Sequence, residues 1–196
     1  MLFRNLKYLT VCLLFGCTHA AIERSVPVDN ELLIEMVIRD QQVRSPANDS
    51  IDLETVDRQH RQQVFELLSR GQIRTAKDKF NAALILQHTG LLYCDGKLVS
   101  ISPENYLLAH QLANSAMVSG SRNAGYLAAA TYDRYLLYTK GFQKYGTQRL
   151  IDDKTGEEMW APIDPSTTDA ERAKYQVPAI DSLKRKYRMM EFDRAR

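Results

Sequence analysis

Apolar positions recur at helical spacing along most of this chain. Over residues 29–44, Leu32, Leu33, Met36, Val37 and Val43 fall near one face and predict a helix, which Pro46 and Asn48 break. A second helix is predicted over 53–70, capped by Asp52, stopped at Gly71, and apolar at Val56, Val64, Phe65, Leu67 and Leu68. Thr75 and Asp78 have the spacing of a capping box, in which each side chain bonds the other's backbone N–H. They open a third helix, reaching about His88, whose broad apolar surface comes from Phe80, Ala83, Leu84 and Leu86.

The period changes over 91–100. Two short apolar runs flank Asp95-Gly96, a pair that tolerates the positive φ of a tight turn, and this predicts a β-hairpin. Pro103 suits the first turn of a fourth helix ending at Gly120, and a fifth runs from Asn123 to a stop at Gly141. Residues 147–151 and 157–161 form a candidate second hairpin. Thr168 and Glu171 make another capping box, opening a short helix that Pro178 ends, and a basic helix closes the chain. In the fourth and fifth helices small residues (Ala109, Ala113, Ala116, Gly120, Ala124, Ala128) permit close approach, and the pair resembles tetratricopeptide and Sel1-like helical hairpins. No second copy follows at a fixed period. The fold class expected is mostly α: an irregular helical bundle with one such hairpin and one or two small β-hairpins.

The N-terminus departs from this pattern. Arg4 and Lys7 precede an apolar run over 8–15, too short to span a bilayer, which breaks at Gly16-Cys17. Leu14, Phe15, Gly16 and Cys17 resemble the lipobox of bacterial lipoproteins, with Phe15 bulkier than the small residue usual there. The resemblance implies a signal peptide over 1–16, diacylglyceryl transfer to the Cys17 thiol, and Cys17 as mature N-terminus. Cleavage after Ala20 or Ala21, giving a soluble periplasmic or secreted protein, and an uncleaved anchor are the alternatives. Residues 17–28 lack periodicity and read as a tether, leaving 29–196 as a single helical domain.

Removing Arg4 and Lys7 from a chain of 26 basic and 24 acidic side chains leaves a formal charge of zero. The basic run at 184–188 is therefore read as a solvated helix face, and nucleic acid is not an expected partner. With Cys12 lost and Cys17 acylated, Cys94 has no disulfide partner, so packing must hold the fold. Thr18 after the cysteine is not the Asp that resembles an inner-membrane retention signal, so the outer membrane, facing the periplasm, is the expected site.

Candidate chemistry lies where polar residues interrupt the apolar pattern. Gln87 and His88 close an apolar helix, Asp133 and Arg134 sit inside an alanine-rich one, and Gln143, Tyr145, Thr147 and Gln148 follow it after Gly141. Arg134 lies about two turns from that helix end, so the following loop can fold back over it. A structural account makes these groups a buried clamp. A functional account makes His88 a general base oriented by Asp133, with Arg134 on an anionic or carbonyl oxygen and Gln87, Gln143, Tyr145, Thr147 and Gln148 positioning a ligand. His60 reads as solvent-facing and His110 has no acidic partner at ligand spacing. HExxH, CxxC, Walker and GxSxG patterns do not occur, so no metal or cofactor is expected. Six tyrosines (106, 126, 132, 135, 138, 145) fall largely at core spacing.

These blocks resemble an uncharacterised bacterial helical domain found in cytoplasmic, secreted and lipoprotein settings. The resemblance rests on Asp40-Gln41 with Arg44, Asp57 with Arg61, Gln87-His88, Asp133-Arg134, Gln143 to Gln148, and Asp169 with Arg172. It covers about 32–183, with the 91–100 hairpin as an apparent insertion. It implies a helical fold and no established activity. The expected function is a membrane-tethered envelope module that binds a small ligand or an envelope protein. The alternatives are an envelope hydrolase or transferase using the His/Asp/Arg group, and a purely structural lipoprotein.

Overall fold

The computed structural model describes residues 26–45, 52–95, 97–152 and 155–192. The segment with Arg4, Lys7 and Cys17, the predicted break at Pro46 and Asn48, and Gly96 of the first hairpin turn lie outside the described residues. Those described are mostly helical: α1 (Glu31–Val43), α2 (Leu53–Ser69), α3 (Ala76–Leu86), α4 (Glu104–Val118), α5 (Ala124–Lys140), α6 (Asp169–Lys174) and α7 (Ile180–Lys184). Two antiparallel hairpins interrupt them, β1 (Leu91–Cys94) with β2 (Lys97–Ser100) and β3 (Arg149–Ile151) with β4 (Glu158–Trp160). No described helix is long and apolar enough to cross a membrane.

Local chemistry sets the helix starts. Asn30 and Asp52 accept the N–H of Leu33 and Thr55, and Thr75/Asp78 and Thr168/Glu171 both form complete capping boxes. Asp78 does more than cap, because Oδ1 also accepts Asn30 N at 2.7 Å, tying the start of α1 to that of α3, while Oδ2 takes the N–H of Arg74 and Thr75. Burial works against its charge, but these backbone donors outweigh it and hold the carboxyl below its ordinary value. A depressed folded-state pKa stabilises above the ordinary carboxylate value and stops doing so as pH falls through it and below. Asp78→Asn is therefore expected to cost about 1–2 kcal/mol at pH 7, and its gap from the wild type in urea midpoint to narrow below about pH 4.

Helix α3 is the hub, touching α1, α2, α4 and α5. The main core gathers Leu33 and Met36 of α1, Val64 and Leu67 of α2, Ile85 and Leu86 of α3, and alanines of α4 and α5. Ala109, Ala113, Ala116, Ala124 and Ala128 are fully buried, so the α4–α5 pair packs through methyl groups. His110 bridges this pair, Nδ1 donating to Ala128 O at 2.8 Å while Nε2 faces the Asn114 amide at 2.8 Å. A smaller core of Trp160, Ile163 and Leu183 lies beside the second hairpin.

Three expectations along the chain are corrected. Phe65, assigned to the apolar side of α2, is exposed, while His60, expected in solvent, is buried at 6% exposure. The buried face runs Val56, His60, Val64, Leu67, a 3.6-residue stripe that passes through the histidine and misses the phenylalanine. The basic run also forms no long helix. After α7 the chain turns to lie beside β4, where Trp160 N donates to Arg188 O and Met190 N to Trp160 O. The Trp160 indole donates to Leu183 O at 2.9 Å, fixing that turn.

Candidate functional site

The end of α3 exposes backbone carbonyls, and two guanidinium groups cover them. Arg134 Nη1 donates to Gln87 O at 2.9 Å, and Arg61 Nη1 to His88 O at 2.7 Å. Positive charge suits the negative end of a helix dipole. Arg134 Nε also donates to Gln148 Oε1, and the Gln148 amide donates to Ala130 O and Thr147 Oγ1. Gln87, Arg134 and Gln148 are thus brought together.

Asp133 sits one residue away and faces the other side of α5, fully buried. Its Oδ1 accepts the N–H of Lys144 and Tyr145, both at 2.8 Å. Its Oδ2 accepts the N–H of Gly146 and Thr147, both at 3.0 Å, and the Thr147 hydroxyl at 2.8 Å. Burial pushes this carboxyl above its ordinary value, and the five donors pull against that. Four successive amides point inward only because Gly146 takes φ +94°, and a Cβ there would lie 2.6 Å from Leu183 Cδ1 and 2.8 Å from Ile163 Cδ1.

Gln143 closes the same loop. Its amide donates to Gln148 O and Ala161 O and accepts from Gln148 N, with no exposed surface left. The Tyr145 ring is buried against Tyr175 at 4.8 Å between centroids, and burial with that neighbour raises its phenol. Arg172, at 2% exposure, donates to Tyr145 O at 3.1 Å and Thr167 O at 2.7 Å, and pairs with Asp169. Sequence reasoning left Arg172 out of the site, because nothing in a capping-box helix marks its arginine as buried.

The pairing of His88 with Asp133 is not made. His88 Nδ1 meets Asp40 Oδ1 at 2.9 Å, while Asp133 is saturated by the 144–147 loop. Asp40 is 1% exposed and also takes Gln41 Nε2 at 2.8 Å and Arg44 Nη2 at 3.3 Å. Burial alone would raise the Asp40 carboxyl, but the His88 hydrogen bond and the nearby charges hold it below the ordinary value. Arg44 Nη2 reaches Asp57 Oδ1 at 2.6 Å, and Arg61 pairs with Glu54. The sequence signals for this second network were Asp40, a charge at a stripe position between Met36 and Val43, and the blocks pairing Asp40 with Arg44 and Asp57 with Arg61, none of which says that they meet His88.

A groove of about 420 Å³ opens beside the first network, between α3 and α5, walled by Phe80, Leu84, Tyr126, Leu127 and Ala130 with the amides of Gln87, Asn123 and Gln176 also lining it. Tyr126, at 47% exposure, is the most open of its apolar wall residues. Tyr106, in contrast, is buried and donates its hydroxyl to Thr89 O. The chain matches no known family profile, no curated protein and no solved structure.

Proposed function

We propose that this chain is a lipid-tethered module of the bacterial cell envelope, held through Cys17 in the outer membrane facing the periplasm, that binds a small ligand in the α3–α5 groove. The observation that carries the reading is the groove itself. Its volume falls in the range of small-molecule sites, its wall is mostly apolar, and of its three amides, Gln87, Asn123 and Gln176, the first belongs to a residue whose backbone Arg134 already fixes. Asp133, Gln143 and Gln148 support this indirectly, spending their polar atoms on the loop that braces α5. The ligand class this favours has an apolar or ring-shaped body with a polar head for Gln87, as muropeptide fragments and short acyl compounds do.

A thermal-shift screen of such compounds on the full chain and on Tyr126→Ala and Gln87→Ala tests it. At least one class is expected to raise the melting temperature of the wild type and to lose most of that rise in both variants. Shifts that survive both changes, or no shift at all, return the chain to the structural alternative. The tether is tested separately, since Cys17→Ser is expected to abolish incorporation of labelled lipid. Continued labelling removes the lipobox assignment.

One observation favours the second reading, an envelope hydrolase or transferase. His88 has a carboxylate on Nδ1, an arrangement that orients an imidazole for proton transfer at its other nitrogen. That carboxylate is Asp40, so the expected loss of turnover shifts from Asp133 to Asp40→Asn.

A further inference from the structure

Three residues with carboxamide side chains line the α3–α5 groove: Gln87 at the end of α3, Asn123 before α5 and Gln176 after α6. Among the described residues none of these three side chains makes a hydrogen bond, while the backbones of Gln87 and Gln176 are both tied down. Two of the three also stand against local preference. Asn123 holds the place before α5 that Asn30 and Asp52 hold before α1 and α2, yet its backbone is helical (φ −91°, ψ −5°) and its side chain caps nothing. Gln176 takes φ +61° at a helix end where Val177 N–H reaches Arg172 O and its own N–H reaches Ala173 O. That kind of ending needs a left-handed residue, and glycine or asparagine fills it at least cost. A glutamine there lowers stability for a side chain that the fold leaves unbonded, the pattern expected where function sets the residue.

The clamp on α5 also sets where Gln176 stands. Arg172 holds Tyr145 O with its guanidinium and the turn around Gln176 with its own carbonyl. A Cβ at Gly125 would stand 3.4 Å from the Tyr175 carbonyl carbon and oxygen, so the missing side chain makes room for the chain before Gln176 to pass close to the start of α5.

The lining narrows the ligand. No lining residue carries a charge near pH 7, so an ion entering the groove would shed water without meeting a counter-charge. A carboxamide offers NH₂ donors and a carbonyl acceptor, the complement of another amide's C=O and N–H. Phe80, Leu84 and Tyr126 supply surface for a methyl group or a ring face. We infer that the groove selects uncharged ligands presenting secondary amides beside an apolar or ring face, with Gln87, Asn123 and Gln176 as the residues that read the amide. The inference rests on the groove being the ligand site proposed above and narrows its ligand to this class. Acetamido sugars and peptide backbones share that chemistry, whereas acyl anions and amines do not.

Ligand-observed NMR titration of the full chain in detergent tests it, with di-N-acetylchitobiose, an alanine peptide blocked at both ends, cellobiose, and the deacetylated diamine chitobiose as probes. At least one of the first two is expected to bind, the sugar pointing to a glycan source and the peptide to a peptide source. It should bind at least about tenfold tighter than cellobiose or the diamine, because a site built for an amide rejects analogues that lack it. Asn123→Ala is expected to weaken that binding about three- to tenfold with the melting temperature unchanged, since the side chain caps nothing. Gln176→Gly should weaken it similarly while raising the melting temperature, a split that a purely structural residue would not show. Failure of both amide probes to bind, equally tight binding of cellobiose or the diamine, or amide binding unchanged in both variants overturns the inference. If acyl compounds then still raise the melting temperature of the wild type and not of Tyr126→Ala and Gln87→Ala, the groove stands without this selectivity. If no compound does, both readings fall.

Discussion

Alanine at position 133 is expected to lower the unfolding free energy by about 4 kcal/mol, enough to unfold a large share of a marginally stable domain. The side chain touches no solvent, and its two oxygens accept four consecutive amides and one hydroxyl. Removing it strands those N–H groups in a space too buried for easy hydration. Asparagine is expected to rescue little of the loss. Each oxygen faces two N–H donors, so whichever position the amide NH₂ takes sets donor against donor. Urea unfolding of Asp133→Ala and Asp133→Asn, with limited proteolysis of the 143–148 loop, checks this. A ligand-binding carboxylate held for its chemistry would behave differently, with stability kept in the asparagine variant and only function lost. Melting within a degree or two of wild type in both variants would therefore remove Asp133 from the clamp.

Features fixed by a few neighbouring residues were legible in the sequence. The two capping boxes, the Asp-Gly hairpin and the helix stop at Gly141 each follow from side-chain reach or backbone sterics within four residues. Part of the polar clamp was visible as well, because Asp133 interrupts an alanine-rich helix, whereas Arg172 carried no such mark. What escaped was long-range pairing. The choice between Asp133 and Asp40 as the partner of His88 depends on how α1 docks on α3, and periodicity within one helix carries no such information. His60 escaped for a related reason. Its flanking arginine and glutamines look solvated, and only the stripe shared with Val56 and Val64 turns the ring inward. The basic tail misled because its composition suits a helix, whereas the open edge of β4 offered its backbone another partner.

Arg172 is expected to show the second large effect, and its pattern with Asp133 separates a clamp from independent contacts. Both residues grip the Tyr145 unit, the carboxylate taking its N–H and the guanidinium its carbonyl. Arg172→Ala leaves Tyr145 O and Thr167 O without these donors and opens a cavity, for an expected loss of about 3–5 kcal/mol. Arg172→Lys should recover only part of that, because one ammonium cannot reproduce the fork that reaches two separated carbonyls. Arg172→Met fills the volume without the charge and should fall between alanine and wild type, since it also removes the burial cost of the guanidinium. Once either grip is gone the loop loosens and the other has less to hold. The double variant Asp133→Ala/Arg172→Ala is therefore expected to lose at least about 1 kcal/mol less than the sum of the single changes. Additivity within about 0.5 kcal/mol would mean that α6 and α5 hold the loop separately, and the clamp that braces the groove wall would not be one unit.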